Sequence, residues 1–200
     1  MKKKPLAGKK SSKKVLLYSI LFGVFVVISV IALGTLLNQD SEQSDAIRFR
    51  SEYPLVGEDN VFVYKNISEI ADILESGTGA VFLGFPTCIW CQTYAAILHE
   101  AAVELGVEKI YYGNVRLDRQ NNTSPYQRIL RALKDYLELD SEGRPQMDLP
   151  DFSVVIDGVI IGHDNETSTE DGSTPPHEYW TNARANALKL RLRAMLKELL

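Results

Sequence analysis

Residues 80–91 read AVFLGFPTCIWC. The first six, Ala80 to Phe85, form a continuous apolar run of the kind that fills a strand buried on both faces, which points to a parallel sheet covered by helices. Pro86 has no amide N–H to give to a ladder and stops the run. The chain's only two cysteines, Cys88 and Cys91, then follow three positions apart. Two cysteines dropped at random would land at this separation about 1% of the time, so the spacing marks a working pair, with redox exchange and metal ligation as the chemistries that share it.

Working outward, Cys91, Tyr94, Ala95, Leu98, Ala102 and Leu105 recur at helical spacing and Gly106 closes the segment, which puts Cys88 at a helix N-terminus. Upstream, VFVY (61–64) is a short strand, and Ser68 caps a helix that carries Ile70, Ile73 and Leu74 and ends near Gly77. Downstream, KIYYGNV (109–115) is a further strand, and Asn121 to Pro125 opens a helix carrying Tyr126, Ile129, Leu130, Leu133, Tyr136 and Leu137. After a polar turn at 141–143 comes Leu149-Pro150. Phe152 to Ile156 and Val159 to Gly162 then flank Asp157-Gly158, the signature of a β-hairpin. A last helix is expected over Glu178 to Leu200, with Trp180, Ala183, Ala187, Leu190 and Ala194 along its buried stripe. The order βαβαβ, helix, hairpin, helix implies an α/β fold with a mixed central sheet flanked by helices.

The start of the chain is of another kind. Seven lysines lie within residues 1–14, with no acid, and Val15 to Leu37 carries no charge over 23 residues. At about 1.5 Å per residue such a run reaches roughly 34 Å, enough to cross a hydrocarbon core, and the lysines then stay on the cytoplasmic side. A cleaved signal peptide is the alternative, with Ala32-Leu33-Gly34 as a small-x-small site, although the run exceeds the ~7–15 residues of a typical signal core. No cysteine stands near the end of the run, so it is not a lipoprotein anchor. The sequence thus divides into a basic cytoplasmic segment (1–14), a transmembrane helix (15–37), a polar linker (38–57) and one folded domain (58–200). Beyond residue 37 there are 15 basic and 26 acidic side chains, a formal charge of 15 − 26 = −11. That balance argues against nucleic acid as a partner.

The redox pair opening a long helix after a central strand, the Leu149-Pro150 step before a hairpin and the order of elements together resemble the thioredoxin superfamily over roughly residues 58–200. Within it the chain looks most like membrane-anchored thioredoxin-like proteins of Gram-positive bacteria, including those described as bacteriocin transport accessory proteins. The resemblance implies a cis bond before Pro150, which sets the backbone of Leu149 beside the cysteines to receive an extended substrate strand, with Trp90 at the rim as a further contact. It also implies an acid on the strand before the cysteines. This sequence departs there, with Phe82 in the matching place.

A thiol at a helix start is activated by unpaired amide N–H groups, so Cys88 is the expected nucleophile and Cys91, one turn on, the resolving thiol. Ile89 and Trp90 between them are not titratable and cannot stabilise the thiolate by charge. Zinc, the rival use of the pair, would need two more ligands from His99, His163 and His177, none of them in a second paired motif. Those histidines read as ordinary helix, loop or strand-end residues. Asp164, Glu166, Glu170 and Asp171 lack the spacing of a calcium loop. Lys189, Arg191, Arg193 and Lys197 read as the solvent face of the last helix.

Two functions fit: a membrane-tethered thiol–disulfide oxidoreductase that exchanges disulfides with exported proteins or peptides outside the cytoplasm, or a non-catalytic thioredoxin-like binding module or bacteriocin secretion accessory protein. No cofactor is expected. The partners expected are exported thiols or disulfides, the membrane through the N-terminal helix, and an unidentified membrane redox partner that sets the direction of exchange.

Overall fold

The computed structural model describes residues 12–167 and 174–200, with side chains described for 16–29, 44–167 and 174–200. The chain divides into two units, Met1–Gln43 and Ser44–Leu200. The first helix, α1, runs over Ser12–Glu52. In the first unit its large apolar side chains, among them Leu17, Tyr18, Phe22 and Phe25, are exposed. Among the described residues no helix is long and apolar enough to cross a membrane. The span expected over 15–37 lies partly outside the residues whose side chains are described, at 15 and 30–37.

In the second unit, a strand β1 (Phe62–Tyr64) is followed by α2 (Ile67–Ser76), β2 (Gly79–Gly84), α3 (Ile89–Leu105) and β3 (Ile110–Asn114). Two helices follow, α4 (Arg116–Gln120) and α5 (Ser124–Ala132), then the short strands β4 (Glu138–Leu139) and β5 (Pro145–Gln146). The hairpin of β6 (Asp151–Ile156) and β7 (Val159–Asp164) leads to α6 (Pro176–Tyr179) and α7 (Asn182–Leu196). The main sheet has the order β1-β3-β2-β6-β7. Strands β1 and β2 pair parallel to β3, whereas β6 pairs antiparallel to both β2 and β7, so the sheet is mixed.

Side chains alternate across the central strand and separate two cores. Ala80 and Phe82 face one layer with Tyr94, Leu98, Leu188 and Leu192, while Val81 and Leu83 face the other with Ile70, Leu74, Ile129 and Leu133. The β6–β7 turn has positive φ at Asp157 (49°) and Gly158 (76°), the primed geometry that matches strand twist. Only glycine fits at 158, because a Cβ there would lie 2.3 Å from the carbonyl oxygen of Glu75.

Several expectations are corrected. Residues 44–57, expected within the linker, belong to the domain: Ala46, Phe49, Tyr53 and Val56 are buried. The Asp45 carboxylate accepts from the outward N–H of Tyr64 on edge strand β1 at 2.9 Å, so this stretch covers the edge. Helix α2 starts earlier than Ser68 implies, because Asn66 and Glu69 form a capping box with both bonds at 2.9 Å. Asn66→Ala should therefore lower stability by about 1 kcal/mol, read as a shift in urea midpoint. Helix α5 stops at Ala132 rather than reaching Leu137; residues 133–137 form a turn that leads into the β4–β5 pair.

The last helix is broken. Trp180 ends α6, and Thr181 caps α7 by accepting from the Arg184 N–H at 3.4 Å. The buried stripe of α7 is accordingly Leu188, Leu192 and Leu196, and Leu190, expected inside, is 66% exposed. Its basic residues do more than meet solvent. Lys189 bridges Glu100 and Glu104 of α3 at 2.7 and 2.9 Å, and Arg193 pairs with Glu104 at 2.8 Å.

Candidate active site

The parallel register places Gly84 opposite Asn114, so β2 and β3 end side by side and the segments leaving their carboxyl ends are neighbours. In open α/β sheets that edge is where ligands collect. From β2 the chain passes through Phe85, Pro86 and Thr87 to Cys88, which occupies the N-cap of α3 with extended dihedrals (φ −82°, ψ 110°). Its sulfur takes the place of a capping oxygen and accepts from the Cys91 N–H at 3.2 Å.

The two thiols are unbonded and unlike. Cys88 is part-exposed and its pKa is drawn down to about 7. The largest cause is the hydrogen bond from the Cys91 thiol; burial opposes it, and the N–H groups of Cys91 and Trp90 and the charge of Arg119 support it. Cys91 is fully buried, and burial pushes its thiol far up, helped by the hydrogen bond to Cys88 and by the Cys88 charge. One group is ready to attack as a thiolate; the other holds its proton until something takes it.

Room for Cys91 is made by Gly84, where a Cβ would come within 3.0 Å of the Cys91 sulfur. Phe82 is fully buried beside it and stacks at 6.1 Å on Tyr94 and at 5.8 Å on Tyr112, so the strand before the cysteines supplies aromatic surface in place of an acid. Tyr53 and Tyr112 share a buried hydroxyl bond of 3.0 Å in the same core. Burial, with the neighbouring Tyr112 and the cysteines behind it, raises the Tyr53 pKa, so its hydroxyl keeps its proton.

Leu149-Pro150 is a cis peptide bond. The Leu149 carbonyl lies 4.0 Å from the Cys88 sulfur, in line to accept from its thiol. Trp90 is half-buried, edge-on to Tyr179 at 5.3 Å and to Trp180 at 6.5 Å, which pins its ring to the α6 corner, while Ile89 beside it is 62% exposed. The structure thus brings together Cys88, Cys91, Trp90, Leu149 and Pro150.

The histidines are apart from this cluster. His99 sits half-buried on α3, and His177 is exposed on α6. His163, on β7, is half-buried and hydrogen-bonds the fully buried Asp151 at 2.9 Å. Asp151 alternates with Phe152 and so faces away from the layer holding Cys91. Among the described residues no group of three or more His, Cys, Asp or Glu is placed to hold a metal. Asp164 and Glu166 are engaged otherwise: Tyr94 donates to Asp164 at 2.9 Å, Tyr179 to Glu166 at 2.6 Å, and Arg191 pairs with both. Glu170 and Asp171 lie outside the described residues.

Three residues near the pair carry no sequence signal. Gln92 donates to the carbonyls of Glu52 and Pro86 at 2.8 and 2.7 Å, and so ties the end of α1 to the approach to Cys88. Arg116 donates to the Thr87 hydroxyl at 3.3 Å, and Arg119 acts on Cys88 through its charge. Fold and site define an α/β protein with an asymmetric dithiol at the start of a helix. No family model matches the chain, and no curated protein matches it.

Proposed function

We propose that this protein is a thiol–disulfide oxidoreductase of thioredoxin-like type, tethered to a membrane by its N-terminal segment and acting on exported proteins or peptides. The observation that carries the reading is the asymmetry of the pair: Cys88 caps a helix with its sulfur while Cys91 behind it is fully buried. Further support comes from the nearness of the Leu149 carbonyl to Cys88 and from the mixed sheet. The tether rests on the charge-free run of 15–37 behind seven lysines.

In the reducing sense, the Cys88 thiolate attacks one sulfur of a substrate disulfide. The substrate S–S bond breaks, and the departing thiolate takes a proton from solvent. Cys91 then loses its proton and attacks the Cys88 sulfur, which releases the second substrate thiolate and leaves a Cys88–Cys91 disulfide. Two electrons have passed to the substrate. The oxidising sense is the same path reversed, and the redox poise of the membrane partner sets which one runs.

The test is turnover of insulin disulfides by dithiothreitol with the full-length chain in detergent. The native chain should accelerate it, and Cys88→Ser should return the rate to the uncatalysed value. A rate that Cys88→Ser leaves unchanged would overturn the reading in favour of a binding module whose fold presents a groove without turnover.

A further inference from the structure

We infer that the arginine-lined cleft beside Cys88 selects acidic peptide substrates, by engaging carboxylates that flank the reacting cysteine. The inference rests on the exchange reading above and specifies its substrate.

A cleft of about 280 Å³ is lined by Phe85, Arg116, Arg119 and Gln120. It opens where the segments leaving β2 and β3 run together, one residue pair beyond the Gly84–Asn114 pairing. Phe85 forms an apolar wall and lies three residues before Cys88. The Arg116 guanidinium stands 5.9 Å from the Phe85 ring centre and donates to the Thr87 hydroxyl at 3.3 Å, which holds its charge next to the nucleophile's own neighbour. Arg119, one helical turn further on, is near enough for its charge to act on the Cys88 sulfur.

Neither of these two cations has an acid for a partner, and of the described cations outside ion pairs they are the ones that line this cleft. Arg48, Lys65, Arg128, Arg144, Lys189, Arg191 and Arg193 all stand in ion pairs, whereas among the described residues neither Arg116 nor Arg119 does. They are exposed and unneutralised on a domain whose chain beyond residue 37 carries 15 − 26 = −11. A patch of sign opposite to its surroundings, set against a nucleophile, steers an acidic partner to that point and lets the rest of the surface repel misdirected approaches. Arginine suits carboxylates, since its fork of donors matches their two oxygens. An extended peptide entering beside Leu149 with its cysteine sulfur at Cys88 would bring flanking side chains over the Phe85 wall, where Arg116 and Arg119 wait for Asp or Glu.

The experiment uses the full-length chain in detergent and three peptides, each linked by a disulfide to a chromogenic aromatic thiol and differing only in Asp, Ser or Lys on both sides of the cysteine. Cys88 attacks the peptide sulfur, the S–S bond breaks and the coloured aromatic thiolate leaves, so one rate constant is read per peptide. The Asp peptide should react about tenfold faster than the Ser peptide at low salt, with the Lys peptide slowest, and added salt should compress the series. In the Arg116→Gln, Arg119→Gln double variant all rates fall with the loss of positive charge near the thiolate, but the Asp-to-Ser ratio should collapse to about one. A ratio that starts near one, or that survives the double substitution, would overturn the inference while leaving exchange intact. If no peptide reacts, the exchange reading itself fails. Anisotropy with labelled peptides bearing serine for cysteine then still decides the cleft: equal binding of Asp and Lys versions overturns it.

Discussion

Phe49→Ala should remove about 3–5 kcal/mol of stability, a large share of the roughly 5–15 kcal/mol that a domain has to lose. Phe49 is fully buried. Its ring stacks on Tyr53 at 4.3 Å and on Phe62 at 3.9 Å and meets Tyr112 edge-on at 5.0 Å. The space left by the truncation is therefore walled on both faces by aromatic rings that are themselves fixed, Tyr53 and Tyr112 by their shared hydroxyl bond, so collapse into it is small. Ile47, two residues earlier and 61% exposed, is the control, and Ile47→Ala should stay within about 0.5 kcal/mol. Urea denaturation followed by intrinsic fluorescence checks both. A cost at Phe49 below about 1 kcal/mol would detach 44–57 from the core and restore the linker.

That stretch also shows where the sequence was hard to read. Ala46, Phe49, Tyr53 and Val56 follow steps of three, four and three, a helical stripe, but Asp45, Arg48, Arg50 and Glu52 are interleaved with them and the net impression is polar. Burial uses only the stripe. The charges are absorbed locally: Arg50 donates to the carbonyls of Pro54 and Val56 at 2.6 and 2.9 Å, and Arg48 pairs with Glu52 at 3.1 Å. The opposite error occurs in α7, where alanines at 183, 187 and 194 fit several faces equally well. The break at Trp180 resets the helix phase, and only the larger Leu188, Leu192 and Leu196 mark the true one.

Where a signal is local and strong, it survives folding. Ala80 to Phe85 had to be a strand because no face of it tolerates water, and β2 is the central strand of the sheet. Asp157-Gly158 had to turn because both residues accept positive φ. Cys88 had to begin a helix because the apolar period starts there, and the helix does start at the next residue. The arginines of the cleft are the converse case. They lie 28 and 31 residues after Cys88 in the sequence, and only the parallel pairing of β2 with β3 brings that distant segment alongside. Neither residue type nor spacing could announce them, since their meaning is a juxtaposition made by a crossover helix.

The second large effect is the split in reactivity between the two thiols. Iodoacetamide should modify Cys88 with a rate that rises through a midpoint near pH 7, while Cys91 in the folded chain stays unmodified across the same range. At pH 7 Cys88 is about half thiolate, against about 1% for a thiol at the ordinary value of 9.0. The gain of roughly 50-fold in thiolate is offset by about 6–10-fold in lower intrinsic nucleophilicity, so the net advantage over a free cysteine is about 5–8-fold. Stability follows the same groups. The Cys88 value is depressed on folding, so its contribution is complete above the unfolded value near 9 and is lost as pH falls through 7; it is on the order of 2 kcal/mol. The Cys91 value is raised, so its neutral burial favours folding below the unfolded value and opposes it above. The dithiol form should therefore gain stability from pH 7 to 9 and lose it beyond, as thermal denaturation across that range would show. Because the Cys91 thiol is the largest cause of the Cys88 shift, Cys91→Ala should move the alkylation midpoint upward, whereas Cys91→Ser keeps a donor in place and should hold it lower. Equal midpoints in the two variants would assign the shift instead to the helix N–H groups, which both of them retain.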